Sequence, residues 1–542
     1  MQRTVLGGRA WRRWPVLGAC AGGLLLGVLA ACRASAPTNS DPSAEGSARA
    51  AALYMRHCAA CHGEEGRGDG TARPYLYPPA RDFSVGRFRL ASTVNGTPTD
   101  EDLMATLARG MPGSAMPAWS WMSESDLRLL ARHVRELSGR ALVERLRNLS
   151  ALERQPFDEP MAEGLVALRL KPGRAALLPK DAHYDKASPE RGGELYATLC
   201  ASCHGATGRG SGAVPTWNED GSLNWARDFT AGVLKGGGTR DALARRILVG
   251  MPGSAMPSLA SLPPEDTASL VLFVQRLIPG GSDQRLVHRS GELRVARTPP
   301  PEPGQSLQAD DPRWQAVPEL DVVLSPLLWH EGAVRSASLS ALHDGERMYV
   351  RVRWGDPTRD DEDLGGQEMP RGAPARDGMA LAFSNEEAPP LFGMGSHETP
   401  VNLWHWKAAR MIDAVGLLDL LGAQVHVLRD PVFRESRLDV APLYVPAPGS
   451  AISGGRTQAL SGESIGEPRD LEDVAQPIAA DARWEEGRWT VVLSRALAGR
   501  APEEAKFAPG TRLVAALAIW DGSGGDRGGS KSISIWQRLV LE

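Results

Sequence analysis

The chain has 542 residues, enough for about three domains, and its 42% apolar content permits packed cores. Its formal net charge is −4, with no basic run or stripe. That balance argues against a nucleic-acid partner and leaves no strong field for steering a charged one. In chain order, Arg3, Arg9, Arg12 and Arg13 come first, followed by an apolar run from Trp14 to Ala31 and then small polar residues. This charge-then-apolar layout is that of a secretory signal. The run is short and glycine-rich for a membrane-spanning helix.

The end of the run, Leu29-Ala30-Ala31-Cys32, resembles a bacterial lipoprotein box, in which Cys32 becomes the lipid-bearing first residue. We expect residues 1–31 to be a signal of lipoprotein type and 32–48 a tether that holds the protein on a membrane surface in the periplasm. Ordinary cleavage after Ala34-Ser35-Ala36 would leave Pro37 just past the cut, which is unfavourable. The six cysteines fit this account. Cys20 lies in the signal and Cys32 in the box, and the other four form two Cys-x-x-Cys-His motifs, leaving none for a structural disulfide.

The chain repeats itself at an offset of about 140 residues, which fixes its organisation. The first copy reads Leu53-Tyr54, Cys58-Ala59-Ala60-Cys61-His62, Ala80-Arg81-Asp82-Phe83 and Gly110-Met111-Pro112-Gly113-Ser114-Ala115-Met116-Pro117. The second reads Leu195-Tyr196, Cys200-Ala201-Ser202-Cys203-His204, Ala226-Arg227-Asp228-Phe229 and Gly250-Met251-Pro252-Gly253-Ser254-Ala255-Met256-Pro257. Each copy predicts a helix leading into its cysteine motif. A second helix is capped by Thr99 or Thr239 and stopped at Gly110 or Gly250. A last helix begins at Ser123 in the first copy and at Leu262-Pro263-Pro264-Glu265 in the second. The predicted modules are small and all-α, at 49–141 and 186–281. Residues 142–185 are expected to be a connector of weak periodicity, and 282–305 a Pro-stiffened linker.

Cys-x-x-Cys at a helix end presents two thiols on adjoining faces of one turn, where each can bond one vinyl group of a haem, and the next residue reaches the iron. A lone Cys-x-x-Cys is also compatible with half a zinc site or a redox pair. The motif here ends in histidine, occurs twice in an exported chain, and has no further cysteine pair, so we expect two covalent haems c: one on Cys58, Cys61 and His62, the other on Cys200, Cys203 and His204. A second axial ligand must repeat in both copies. His57 precedes Cys58 on the same helix and would point away from that side of the haem, and His133 has no counterpart in the second copy, whereas Met111 with Met251 and Met116 with Met256 do repeat. Thioether ligation favours ferrous iron and raises the potential. Arg81 and Arg227 suit a haem propionate, since a guanidinium fork matches a carboxylate; a surface pair with Asp82 or Asp228 is the alternative.

The repeated modules resemble class I cytochromes c, whose distal ligand commonly lies in a Met-Pro step before the last helix. That resemblance selects Met116 and Met256 and leaves Met111 and Met251 as pocket packing.

From about residue 306 the period changes to alternation, with strands predicted over 349–354, 380–384, 489–494, 513–520 and 533–541 and Asp-Gly turns at Asp344-Gly345, Asp377-Gly378 and Asp521-Gly522. The expected class is an antiparallel β-sandwich over 306–542, with a Pro-, Gly- and Ser-rich insertion near 429–480. The whole is thus a multidomain α + β chain. Trp354-Gly355-Asp356, Phe392-Gly393-Met394-Gly395, Val401-Asn402-Leu403-Trp404-His405-Trp406-Lys407, Ile519-Trp520-Asp521-Gly522 and Lys531-Ser532-Ile533-Ser534-Ile535-Trp536 occur in order. In that order they resemble the haem b-binding subunit of ethylbenzene dehydrogenase, dimethylsulfide dehydrogenase and the chlorate and selenate reductases. The resemblance implies one non-covalent haem b held by a Met and a Lys, which map to Met394 and Lys531, with His405 and Lys407 as substitutes. Read alone, Met394 is loop packing and Lys531 an edge-strand charge.

Three haems imply an electron carrier rather than an enzyme, passing electrons between a membrane or soluble cytochrome pool and a partner oxidoreductase. The resemblance implies a molybdoenzyme with an iron–sulfur subunit. The competing expectation is a dihaem c-type enzyme, of peroxidase or thiosulfate-oxidising type, which needs one open or unusual distal site.

Overall fold

In the computed structural model, residues 44–280, 290–361, 375–384, 401–408, 457–462, 468–470, 478–499 and 504–542 are described, apart from 220, 222, 225, 303, 304, 331 and 527–529. The expected signal, Cys32 and Met394 lie outside them. No helix among the described residues is long and apolar enough to cross a membrane.

Both repeats fold as three main helices. In the first, α1 (Ala44–His57) runs into the motif, which continues as a short helix, Ala59–His62. Helix α2 (Asp100–Arg109) begins in a capping box. Thr99 Oγ1 accepts from the Asp102 N–H at 3.1 Å and the Asp102 carboxylate accepts from the Thr99 N–H at 3.0 Å, so two donors that the first turn leaves open are satisfied. It stops at Gly110, whose φ of 72° is the left-handed conformation expected of it. Helix α3 (Glu124–Leu152) is capped by Ser123 and buries Leu127, Leu130, Val134 and Leu137. It continues well past the expected end of the module and turns back through α4 (Glu159–Leu170), which is capped by Asp158. The stretch expected as a connector is therefore partly a helical hairpin. Leu142, Val166 and Leu170 pack as a small apolar cluster of their own, which pays for ordering it.

The second repeat matches, with α5 (Pro189–Leu199), the short helix Ala201–His204, α6 (Arg240–Val249) and α7 (Pro264–Leu277). Helices α5 and α7 touch at Gly192. A Cβ there would collide with the Ser269 carbonyl and with the Cβ of Phe273. Gly192→Val should therefore force the helices apart and destabilise the second module by about 1–3 kcal/mol. Calorimetry should show an earlier melt for that module alone; an unchanged melting profile would refute the close packing.

The carboxy-terminal part contains strands β1 (Glu292–Arg297), β2 (Leu320–Pro326), β3 (Ser336–His343), β4 (Arg347–Gly355), β5 (Gly378–Ser384), β6 (Val401–Lys407), β7 (Thr457–Gly462), β8 (Pro468–Asp470), β9 (Ala479–Glu485), β10 (Arg488–Ala496), β11 (Arg512–Trp520), β12 (Ser532–Ser534) and β13 (Gln537–Leu541). They join as β8-β7-β6-β5-β11-β12-β2-β3-β4-β10-β9, while β13 pairs with β11 and β1, and β1 pairs with β3. The expectation of a purely antiparallel sandwich is corrected: the sheet is mixed. Strand β1 lies parallel to both β13 and β3, and the pairings β11-β12-β2-β3-β1-β13-β11 close on themselves. The physical source is a strand inside the stretch expected as linker. Leu293 and Val295, 2% and 0% exposed, alternate with charged neighbours at period two, and the residues that suggested a linker, Pro279-Gly280-Gly281 and Pro299-Pro300-Pro301, lie on either side of the strand. The core holds Trp354, Trp404, Trp406 and Trp489.

The sheet docks on the first module. The Tyr77 N–H donates to the Leu327 carbonyl and the Trp329 N–H to the Tyr77 carbonyl, both at 2.9 Å. Ile535, 2% exposed, belongs to the first module's own apolar cluster.

Candidate haem-binding sites

The two motifs are built alike down to single contacts. Tyr54 donates its hydroxyl to the Gly63 carbonyl at 2.7 Å, and Tyr196 to the Gly205 carbonyl at 2.8 Å. Each bond ties the leading helix to the turn after the histidine. The His62 ring stacks on Phe83 and the His204 ring on Phe229, at 4.5 and 4.6 Å between centroids. His62 Nδ1 lies 2.9 Å from the Arg81 carbonyl and His204 Nδ1 3.2 Å from the Arg227 carbonyl. A carbonyl at Nδ1 fixes the tautomer with Nδ1 as donor and leaves Nε2 as the ligand atom. Burial lowers the pKa of both imidazoles, which keeps them neutral, as a metal ligand must be.

Around the first motif lies a cavity of about 770 Å³. Cys58, Cys61, His62, Met111 and Met116 all line it, with apolar walls from Phe83, Leu103, Leu107, Trp119 and Val134. Burial pushes both thiols up to about 12, so they sit in the apolar surroundings a porphyrin would share. The methionine loops are again equivalent. The Met111 N–H donates to the Met116 carbonyl at 3.0 Å and the Met251 N–H to the Met256 carbonyl at 3.2 Å, while Ser114 and Ser254 hydroxyls donate back to the carbonyls of Met111 and Met251. Met116 packs against the first module's core. Two thiols, an oriented imidazole and thioethers in one apolar cavity are a donor set that fits a covalent haem. His57 is on the wall too, buried between Trp119 and Trp121, and burial lowers its pKa to about 4.

Arg81 and Arg227 do something the sequence did not foretell. Arg81 lies against Gly253, in the methionine loop of the other module, and Arg227 lies against Gly113, in the methionine loop of the first. A side chain at either glycine would collide with the guanidinium. Asp82 and Asp228 instead accept backbone N–H groups, from Ser84 and Thr230, at 2.7 Å each. Other contacts cross the junction as well. Arg109 Nε donates to the Lys235 carbonyl and Arg246 to the carbonyls of Arg89 and Ala91. Arg81, Arg89 and Lys235 line the first cavity together, beside two carboxylates, Asp82 and Glu219. Burial, then the charges of Arg227, Arg89 and Arg81, lower the pKa of Lys235 well below its usual range. Burial likewise lowers Arg227 to about 10. Positive charge concentrated at an apolar cavity is a fit for a cofactor that carries carboxylates.

Lys531 is not an exposed edge-strand charge. It is 8% exposed, its ammonium lies 5.0 Å over the Trp520 ring, and burial lowers its pKa to about 8. His405 meets the same indole edge-on at 5.4 Å. A lysine held near neutrality in an apolar place can supply a free amine to a metal. Lys407 ends β6. Two residues beyond Lys531, Ile533 packs against an apolar cluster of Ala72, Leu76, Ala115 and Leu327, against which Cys61 of the first motif also packs.

Sequence reasoning missed the hairpin residues Leu146, Leu149, Leu165 and Val166, and Lys235 of the second module, all on the first cavity's wall. Leu142, Leu146 and Leu149 do continue the helical spacing of the preceding stripe, and that signal was available.

Residues 47–138 and 189–277 match the cytochrome c family, and residues 311–436 and 467–532 match the ethylbenzene dehydrogenase family. A protein of Haloferax mediterranei described as a respiratory nitrate reductase heme subunit is 25% identical over 237 residues, which is 43% of this chain and 67% of that one. The dimethylsulfide dehydrogenase subunit gamma of Rhodovulum sulfidophilum is 26% identical over 243 residues, covering 42% of this chain and 71% of its own. Among solved structures, the Kuenenia stuttgartiensis reducing HAO-like protein complex includes a chain 27% identical, matched over 43% of this chain and 96% of that one with a TM-score of 0.34.

Proposed function

We propose that this chain, two cytochrome c segments followed by a segment of ethylbenzene dehydrogenase type, is a periplasmic, lipid-anchored electron-transfer subunit. It relays electrons between a membrane or soluble cytochrome pool and a partner oxidoreductase of the molybdenum class with its iron–sulfur subunit. The observation that carries this reading is the junction: two matched Cys-x-x-Cys-His modules whose methionine loops and arginines interlock. The relatives, a heme subunit and a gamma subunit of oxidoreductases, support it.

Bound haem supplies one-electron exchange at iron. The chain's own residues do the rest. Cys58, Cys61, Cys200 and Cys203 hold the two macrocycles covalently. His62 and His204 present Nε2, oriented by the carbonyls of Arg81 and Arg227. Met116 and Met256 would each hold the iron through a thioether and so leave it no free place for substrate. Arg81, Arg227 and Lys235 offset propionate charge at the junction. Lys531, with Met394, would hold haem b. Ile533 of the sheet domain and Cys61 of the first module pack against one apolar cluster, which contains Leu327, so the two kinds of site adjoin the same packed core. The dihaem-enzyme alternative asks for unlike pockets, and the Tyr, His and Met-loop contacts of the two are alike.

A pyridine haemochrome assay on the purified chain should count two haems c for the two motifs and one haem b. Lys531→Ala should keep both haems c and lose the b signal. A wild-type chain without haem b would remove the proposed role of Lys531, and a high-spin haem with substrate turnover would overturn the relay itself.

A further inference from the structure

Three aspartates that the sequence presents as strand ends and turns converge in the sheet domain. Asp356 follows β4, Asp377 precedes β5 and Asp521 follows β11; Asp360, in the loop after β4, joins them. One carboxylate oxygen from each lies within 4.8 Å of all the others. Asp356, Asp377 and Asp521 are 1%, 0% and 3% exposed.

The group is held in place by neutral donors. Asp377 accepts from the Trp489 indole N–H at 2.9 Å, the Asp360 N–H at 2.8 Å and the Gly522 N–H at 2.9 Å. Asp521 Oδ1 accepts from the Gly524 N–H at 3.1 Å, and Asp356 Oδ1 from the Thr358 N–H at 3.1 Å. Asp356 Oδ2 is different: it is buried and accepts no hydrogen bond. Among the described residues no basic side chain pairs with any of the four; neighbouring Arg359 pairs with Asp361, and His330 with Asp526. Buried carboxylates are ordinarily paired with a base or a metal. Burial, then the charges of Asp377 and Asp521, push the Asp356 carboxyl up to about 7, which reflects the same crowding.

We propose that Asp356, Asp360, Asp377 and Asp521 bind one divalent metal ion of the calcium type. A donor set made only of carboxylate oxygens selects a hard cation. Calcium takes more oxygen ligands and accepts a cage made by protein, whereas magnesium keeps several waters, so four converging carboxylates with three of them buried favour calcium. The ion ties the ends of β4, β5 and β11 together. It also anchors the residue next to Trp520, whose ring lies beneath Lys531.

The test uses the full, haem-loaded chain, stripped with chelator and titrated with calcium chloride, then with magnesium chloride. Calorimetry and metal analysis should find one calcium per chain. At a hundredfold excess over the dissociation constant, melting of the sheet domain should rise by roughly 5–10 °C, with a much smaller rise in magnesium. Asp377→Asn should weaken calcium binding at least tenfold and abolish the shift, with haem c spectra unchanged. If that variant misfolds, Asp360→Asn, at the partly exposed member, should show the same loss. A wild-type chain that binds no calcium and melts alike in chelator and calcium overturns the site, as do folded variants that respond to calcium like the wild type.

Discussion

Glu504→Leu should destabilise the sheet domain by about 3–5 kcal/mol. Arg495 and Glu504 form an ion pair at 3.2 Å with both side chains fully buried. The guanidinium is otherwise well served. It donates to Asn402 Oδ1 at 3.1 Å and to the Ala505 carbonyl at 2.6 Å, and it lies 4.8 Å over Phe507 and 5.3 Å over Trp404. Burial lowers its pKa only to about 10, so it stays charged at neutral pH. Deleting the carboxylate leaves that charge buried and uncompensated. Arg495→Met combined with Glu504→Leu should recover much of the loss, since an apolar pair of similar volume is often neutral in place of a buried ion pair. Urea melts of the single and double variants measure both terms. A single variant as stable as the wild type would show that the pair contributes nothing.

Met116→His should lower the potential of one haem by on the order of 0.1–0.3 V, inside the roughly 0.8 V range that axial ligands span, and leave the other in place. The methionine–iron charge-transfer band should fall by about half, since one of two equivalent sites loses its thioether. Met111→Leu should change neither. The two residues are bonded to each other through the backbone and line one cavity, so redox titration of the pair of variants is what separates ligand from packing. Unchanged spectra in Met116→His and in the matching Met256→His would reopen the reading as a dihaem enzyme.

The two cytochrome c segments were legible because their motif is local: two thiols and an imidazole within five residues need no tertiary partner to be recognised. Caps were legible for the same reason, and Thr99, Ser123 and Gly110 sit where their side chains or lack of one put them. What sequence could not convey was pairing across distance. Arg81 reads as a propionate ligand or a partner of Asp82, and nothing nearby in the chain says that Gly253 will receive it. Strand β1 was hidden by the prolines after it, because a parallel strand takes its partners from far along the chain. Asp356, Asp377 and Asp521 each read as the end of a strand, and only the sheet's closure brings them together. The mixed sheet and the interlocked modules are facts of long-range contact.

The crossing of Arg81 to Gly253 and Arg227 to Gly113 carries a consequence for symmetry. When each of two like bodies offers the other the same arginine and the same loop, the contact is isologous, the kind that builds a two-fold dimer. Here such a dimer is written into one polypeptide. The rest of the shared face is not matched in this way: Lys235 and Glu219 of the second module line the first module's cavity, and Arg109, which reaches across to the Lys235 carbonyl, stands where the second copy has Val249. A third body adds to the inequality. Leu327 of the sheet domain lies in one apolar cluster with Ala72, Leu76 and Ala115 of the first module, with Cys61 and Ile533 packed at its edge, whereas Trp329 of the sheet domain meets the second module at the Arg227 guanidinium, 5.7 Å from its ring. The protein thus gives two similar parts different positions in a sequence of events by setting each against a different part of the same third body.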